Sequence, residues 1–234
     1  MRRLIFASLL AFGGFESSGC DRLISSDVTE TPFALPSRMY SFDSSAFPVP
    51  SVLAQEVPCG APPVVDCCSP TPPLPQPDCN MTPITCEQNE NGMNVCMAQV
   101  TVSQSTTMNL GMEVPDLAGF TSIVNIKIKR IGYVVNANTL TVDLPDVDLY
   151  LAPSGVMDPM DSRAMHFGKL PAIPAMMTPS GDVILDSNAA GALSTFTQNI
   201  QTPFNFIAAA KPKVSKAPTG RIDMTVTGTL AASL

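Results

Sequence analysis

The sequence predicts an all-β protein: an antiparallel β-sandwich of Ig-like or jelly-roll type with one short helix, preceded by a disulfide-braced, Pro-rich segment. Three observations lead there. Apolar and polar residues alternate in several short runs of the C-terminal part, the period of a strand with one buried face. Proline and glycine, 23 and 14 of 234 residues, punctuate those runs at the intervals expected of turns. Six cysteines crowd into one proline-dense stretch ahead of them.

The clearest strand is the last. Ile222, Met224, Val226 and Leu230 alternate with Arg221, Asp223, Thr225, Thr227 and Thr229. If it lies at an edge it is also a surface that a partner strand can extend. Met108, Leu110, Met112 and Val114 alternate in the same way, as do Val124, Ile126 and Ile128 against Asn125, Lys127 and Lys129. Phe204, Phe206 and Ala208 mark a further strand, and Val183-Ile184-Leu185 reads as a short one buried on both faces. From Leu140 to Leu151 the apolar parity slips by one residue across Pro145-Asp146, which predicts a long strand kinked by a bulge at Pro145. Ala189, Leu193, Phe196 and Ile200 recur at helical spacing after Ser187 or Asn188, so the one helix belongs there.

The N-terminus carries Arg2 and Arg3, an apolar run over residues 4–15, and then Ser17, Ser18 and Gly19 before Cys20. The apolar run falls short of the ~20 residues that span a bilayer, so cleavage is expected rather than retention. Small residues directly ahead of a cysteine resemble the lipobox of bacterial lipoproteins. That resemblance implies cleavage before Cys20, diacylation of its thiol, and a protein anchored outside the cytoplasm in a bacterial cell envelope, periplasmic or on the cell surface. Ser17 stands where the family prefers Leu, and ordinary signal cleavage with secretion is the alternative.

Apart from Cys20, the cysteines are an even set: Cys59, Cys67, Cys68, Cys79, Cys86 and Cys96. In an exported chain an even set implies disulfides, here three, with the adjacent Cys67 and Cys68 bonding to different partners. A zinc cluster is the rival reading, and the chain lacks any Cys-x-x-Cys. The organisation expected is a signal peptide over 1–19, a flexible tether over 20–56, a Cys/Pro-rich disulfide segment over 57–96 ordered by its bridges rather than by strands, and the β-sandwich over 97–234.

Charge excludes one class of partner. With 13 basic and 20 acidic residues the chain has a net charge of −7, and loss of Arg2, Arg3 and Glu16 with the leader makes the mature form more acidic still. Such a chain repels nucleic acid and anionic headgroups, so its partners are the membrane, through the acyl chains, and another envelope protein. The absence of tryptophan argues against an aromatic sugar-stacking platform.

For chemistry the sequence offers three constellations. Asp143, Asp146 and Asp148 crowd around the expected bulge and are the candidate oxygen ligands for calcium, with Asp158 and Asp161 joining only if the next loop folds back; calcium needs six or more oxygens, and the alternative is a solvated strand face. Met157, Met160, Met165, His166, Met176 and Met177 are a soft set suited to copper(I), or flexible packing residues. His166 is the only histidine, so a Ser-His-Asp or Cys-His catalyst would have to run through it, yet no Gly-x-Ser-x-Gly elbow is present. Asp146-Val147-Asp148-Leu149-Tyr150-Leu151 resembles a strand of bacterial pre-peptidase C-terminal domains, which implies an extracytoplasmic sandwich. The reading that follows is a non-enzymatic envelope lipoprotein without a required cofactor, a structural or binding module; a calcium- or copper-binding module and a hydrolase are its alternatives.

Overall fold

A computed structural model describes residues 31–60, 67, 82, 84–89, 91–114, 117 and 125–233. It is an antiparallel β-sandwich with a small third sheet at one end. The first sheet orders its strands β1 (Thr31–Asp43), β12 (Arg221–Ser233), β5 (Asn125–Asn138) and β8 (Ser180–Asp182). The second orders β4 (Val102–Met108), β10 (Phe204–Ala210), β6 (Val147–Pro153), β7 (Met165–Leu170) and β9 (Ile184–Leu185). The third joins β11 (Lys213–Val214), β3 (Asn94–Gln99) and β2 (Ile84–Gln88).

Alternation decides which side chains meet between the two large sheets. Phe42, Tyr40, Ile222, Met224, Leu230, Ile131 and Val135 point inward from the first; Leu149, Leu151, Phe167, Phe204 and Phe206 come from the second, all within one apolar cluster. Tyr40 packs on Phe206 and Phe206 edge-on against Phe167, with ring centroids 5.7 and 5.3 Å apart, a spacing favoured by ring quadrupoles. The Tyr40 hydroxyl bonds to Thr106, and burial pushes its phenol up to about 12. An apolar void between the sheets, lined by Leu151, Phe167, Phe204 and Phe206 among others, measures 40 Å³, far below the ~300 Å³ of a small-molecule site.

The sandwich closes on one side and stays open on the other. Ser180–Asp182 pairs with β5 in the first sheet, the next residue Val183 donates its N–H to Ile131 O at 2.8 Å, and Ile184–Leu185 already pairs with β7 in the second sheet. One strand thus switches sheets across a single residue and forms a corner. Gly168 permits it: a Cβ there would stand 2.6 Å from Ile184 O. On the opposite side, β1 is joined to β4 and the turn after it by the Arg38–Glu113 ion pair and by Tyr40 with Thr106.

Several sequence expectations need correction. Residues 31–56 are not tether: Thr31–Asp43 pairs with β12 along its length, and Val52 and Leu53 are buried. β12 is therefore central, flanked by β1 and β5, and has no free edge. The Cys/Pro-rich segment holds strands as well as bridges, the β2–β3 hairpin, whose turn is fixed by Asn89 Oδ1 accepting from the N–H groups of Asn91 and Met93 and by Gly92 at φ +75°. The run from Leu140 to Leu151 is not one kinked strand. Leu144 bridges to Ile173, and β6 starts only at Val147, so the parity slip at Pro145 marks the end of a loop. Met108–Val114 is not a strand either; it turns into α1 (Leu110–Glu113), capped by Asn109 Oδ1 on Met112 N. Ile184 is exposed, so its strand is not buried on both faces. The predicted helix is present as α2 (Ala189–Thr197), with Ala189, Ala192 and Leu193 buried.

Gly220 gives a direct test of this architecture. It lies at φ +89°, and a Cβ would fall 1.9 Å from Thr139 O, where β12 begins alongside the loop after β5. Gly220→Ala should cost at least ~1–3 kcal/mol of backbone strain before any clash is counted. Chemical denaturation should show that loss; an unchanged midpoint would mean this junction is wrongly described.

Candidate functional site

A concavity of 730 Å³ lies where the third sheet meets the adjoining end of the sandwich. Its walls are Met97 and Gln99 of β3, the 211–218 segment, and the loop carrying Val142, Asp143 and Leu144. This volume falls within the range of ligand clefts, ~300–1,000 Å³.

The hairpin wall is stiffened covalently. Cys59 bonds to Cys86 and Cys67 to Cys96, with Cα–Cα distances of 5.9 and 5.5 Å. Cys86 and Cys96 stand opposite each other in the β2–β3 register, yet each reaches back to an earlier cysteine, so both bridges tie the hairpin to the chain that precedes it. Sγ atoms of Cys59, Cys67 and Cys96 form the one group of three or more potential metal ligands among the described residues, and all three are spent in these disulfides. Cys20, Cys68 and Cys79 lie outside the described residues. Disulfides form and persist in oxidising compartments, and the protein is accordingly extracytoplasmic. No helix among the described residues is long and apolar enough to cross a membrane.

The opposite wall is pinned by two of the three aspartates. Asp143 Oδ1 accepts from Ala175 N at 2.6 Å, and Asp146 Oδ1 from Ala172 N at 3.1 Å. Asp146 Oδ2 also takes Lys169 Nζ at 2.5 Å. Asn138 adds two bonds from its amide to Pro174 O and Met177 O, 3.0 and 2.9 Å. Asp143 and Asp146 thus hold the 172–177 loop in place, while Asp148 faces His166. The structure does not bring the three carboxylates to one point, and Asp158 and Asp161 are engaged locally with Met160 N and Arg163.

His166 lies on the outer face of the second sheet. Its Nδ1 is 2.5 Å from Asp186 Oδ2 and its Nε2 3.3 Å from Asp148 Oδ1, with the Tyr150 ring edge-on at 5.1 Å. A triad would need a hydroxyl or thiol nucleophile on Nε2; here a carboxylate occupies that direction. The methionines also diverge: Met157 and Met160 belong to one loop and Met176 and Met177 to another, all exposed, while Met165 packs against the core.

Sequence reasoning missed the lysines of the groove. Lys211, Lys213 and Lys216 line it within six residues, a basic cluster in an acidic chain. Lys213 pairs with Glu87 at 2.6 Å, and its hydrogen bonds hold the Glu87 carboxyl below the usual range. The ammonium groups of Lys211 and Lys216 have no carboxylate partner among the described residues. The signal was present as Lys211-Pro212-Lys213-Val214-Ser215-Lys216, three lysines within six residues.

No family model matches the chain, and no curated protein matches it. Among solved structures, the chain is similar to one from work on the promiscuous specificity of carbohydrate-binding modules of the β-sandwich superfamily, at 6% identity and TM-score 0.27, over 85% of this chain and 55% of that one. The chain therefore spans about half the length of that neighbour. It is also similar to structures of Desmodium yellow mottle tymovirus and turnip yellow mosaic virus, each at 11% identity and TM-score 0.23, covering 100% and 99% of this chain and 95% and 89% of theirs. With TM-scores below 0.5, none of these likenesses bears on ligand or activity.

The Lys169 ammonium beside Asp146 holds its carboxyl below the usual carboxylate range, with the Ala172 amide contributing less. A depressed folded-state pKa gives stability that is present above the ordinary aspartate value and is lost as pH falls through the lower, folded one. In a carboxyl-detected NMR titration Asp146 should protonate later than a free aspartate on acidification. Lys169→Ala should return it toward the ordinary range; if it does not, the ion pair is not the cause.

Proposed function

We propose that this chain is a non-enzymatic binding module of the bacterial envelope, carried outside the cytoplasm on a lipid at Cys20, that receives an anionic group of an envelope component in the groove beside its disulfide-braced hairpin. The observation that carries the reading is the pairing of Lys211 and Lys216, free of carboxylate partners among the described residues, with an apolar floor of Val142, Leu144 and Val214 in a cleft of 730 Å³. The two ammonium groups are available to an anion, whereas the carboxylates of the same lining are already engaged, Glu56 with Asn89 and Ser215 and Asp143 with Ala175 N. An anion attached to a partly apolar body fits both features. The bridges and the Asp143 and Asp146 clamps keep the two walls in place before binding, which lowers the ordering cost of association.

Binding of an oligoglutamate peptide, followed by amide shifts in NMR, tests the groove. Shifts should concentrate on residues 142–144 and 211–216, weaken with added salt, and vanish in the Lys211→Glu/Lys216→Glu double variant without change in melting. Shifts spread over the whole surface, or untouched by the double variant, would refute the assignment. The anchor has its own readout, a diacyl mass increment on a chain beginning at Cys20 in the membrane fraction.

A further inference from the structure

Among the described residues β1 and β4 are the outermost strands on the open side of the sandwich, and their edges differ. β1 is guarded: Pro32 and Pro36 lie in it, and a bulge interrupts its register between Leu35 and Arg38. These devices prevent a further strand from adding. β4 carries none of them. Val102-Ser103-Gln104-Ser105-Thr106-Thr107-Met108 has no proline, charge or bulge, and pairs with β10 on one side in unbroken register. Among the described residues it is the longest edge without such protection.

A second observation falls at the same seam. Among the described residues, the buried side-chain polar atoms without a hydrogen-bond partner are Arg38 Nε, Gln104 Oε1 and Glu113 Oε2. All belong to β1, β4 or α1. Glu113 Oε2 meets Arg38 as an ion pair, which leaves Arg38 Nε as a buried donor on β1 and Gln104 Oε1 as a buried acceptor on β4. A buried acceptor left unsatisfied forfeits its hydration without replacement.

We infer that β4 pairs with β4 of a second copy of this chain, antiparallel, about a two-fold axis at Ser105. The sequence of the strand is what selects this occupant. Its polarity reads nearly the same in both directions from Ser105, so antiparallel self-pairing sets Val102 opposite Met108, Ser103 opposite Thr107 and Gln104 opposite Thr106. Apolar meets apolar, hydroxyl meets hydroxyl, and no like charges are brought together despite the acidity of each copy. In that register Gln104 Oε1 of each copy stands opposite the Thr106 hydroxyl of the other, and symmetry places this pair twice. The interface is isologous and closes at two chains. Met112, 77% exposed on α1 just beyond β4, adds adaptable apolar surface at each end of the seam.

Residues opposite each other across an antiparallel pair stand ~4.5–5.5 Å apart at Cα, within disulfide reach. Ser105→Cys in the exported chain should therefore give a reducible dimer spontaneously, whereas Ser103→Cys, which faces Thr107, should not. By sedimentation the native protein should be a dimer, and Ser105→Lys, with its side chain on the solvent side of the strand, should be a monomer with unchanged circular dichroism. A native monomer at millimolar concentration, or equal cross-linking from positions 103 and 105, would overturn the proposal.

Discussion

The molecule depends on one strand being held on both sides. β12 comes last in the chain, yet it pairs with β1 from Thr31 to Asp43 and with β5 from Asn125 to Asn138. The beginning and end of the sandwich are thereby joined in one ladder. Ile222, Met224 and Leu230 project from β12 into the core at 2% exposure or less, while Thr225, Thr227 and Thr229 keep its other face polar. A strand with three buried anchors and two hydrogen-bonded neighbours fixes the register of the whole sheet, because a slip by one residue would turn every anchor outward. The second sheet is positioned by packing onto those anchors, with Tyr40, Phe206 and Phe167 as the contact line.

The hairpin with its two bridges sits outside that ladder. It joins the sandwich through β11, where Lys213 and Val214 pair with Gln99 and Ala98, and through the Lys213–Glu87 ion pair. This attachment is short, which explains why covalent bonds are used there and nowhere else among the described residues. The sandwich has a core large enough to stand by itself; a two-stranded hairpin does not. The groove arises at this junction between the sandwich and the stapled hairpin; both of its walls carry local bonds, and both also reach the core, through Cys96 and Ala98 on the hairpin side and Leu144 on the other.

Much of the fold was legible because one-sided burial writes itself into alternation. β12 and the helix at Ala189–Thr197 follow that pattern, and so does the inner face of β6; β10 is buried on both faces. Legibility failed where local side-chain bonds override periodicity. Asn109 and Glu113 convert an alternating run into a helical turn, and Asn89 with Gly92 makes a hairpin inside a segment that proline seemed to deny to strands. β1 escaped notice because its bulge and prolines break the alternation that marks a strand. At the candidate site the aspartates were visible as a cluster, but their backbone partners, Ala172 and Ala175, come from a loop some 30 residues away and have no signature in sequence. The lysines were visible too, and only the fold turns them toward a cleft.

The central claim is a division of labour: the β1–β12–β5 ladder and its core hold the sandwich, and the bridges hold the hairpin wall. Amide hydrogen exchange with and without a reductant tests it most directly, since exchange reports local opening strand by strand. After reduction, β12 and β10 should keep their protection while β2 and β3 lose theirs. Loss of protection throughout the sandwich on reduction would contradict the account and make the disulfides, rather than the ladder, the element on which the fold depends.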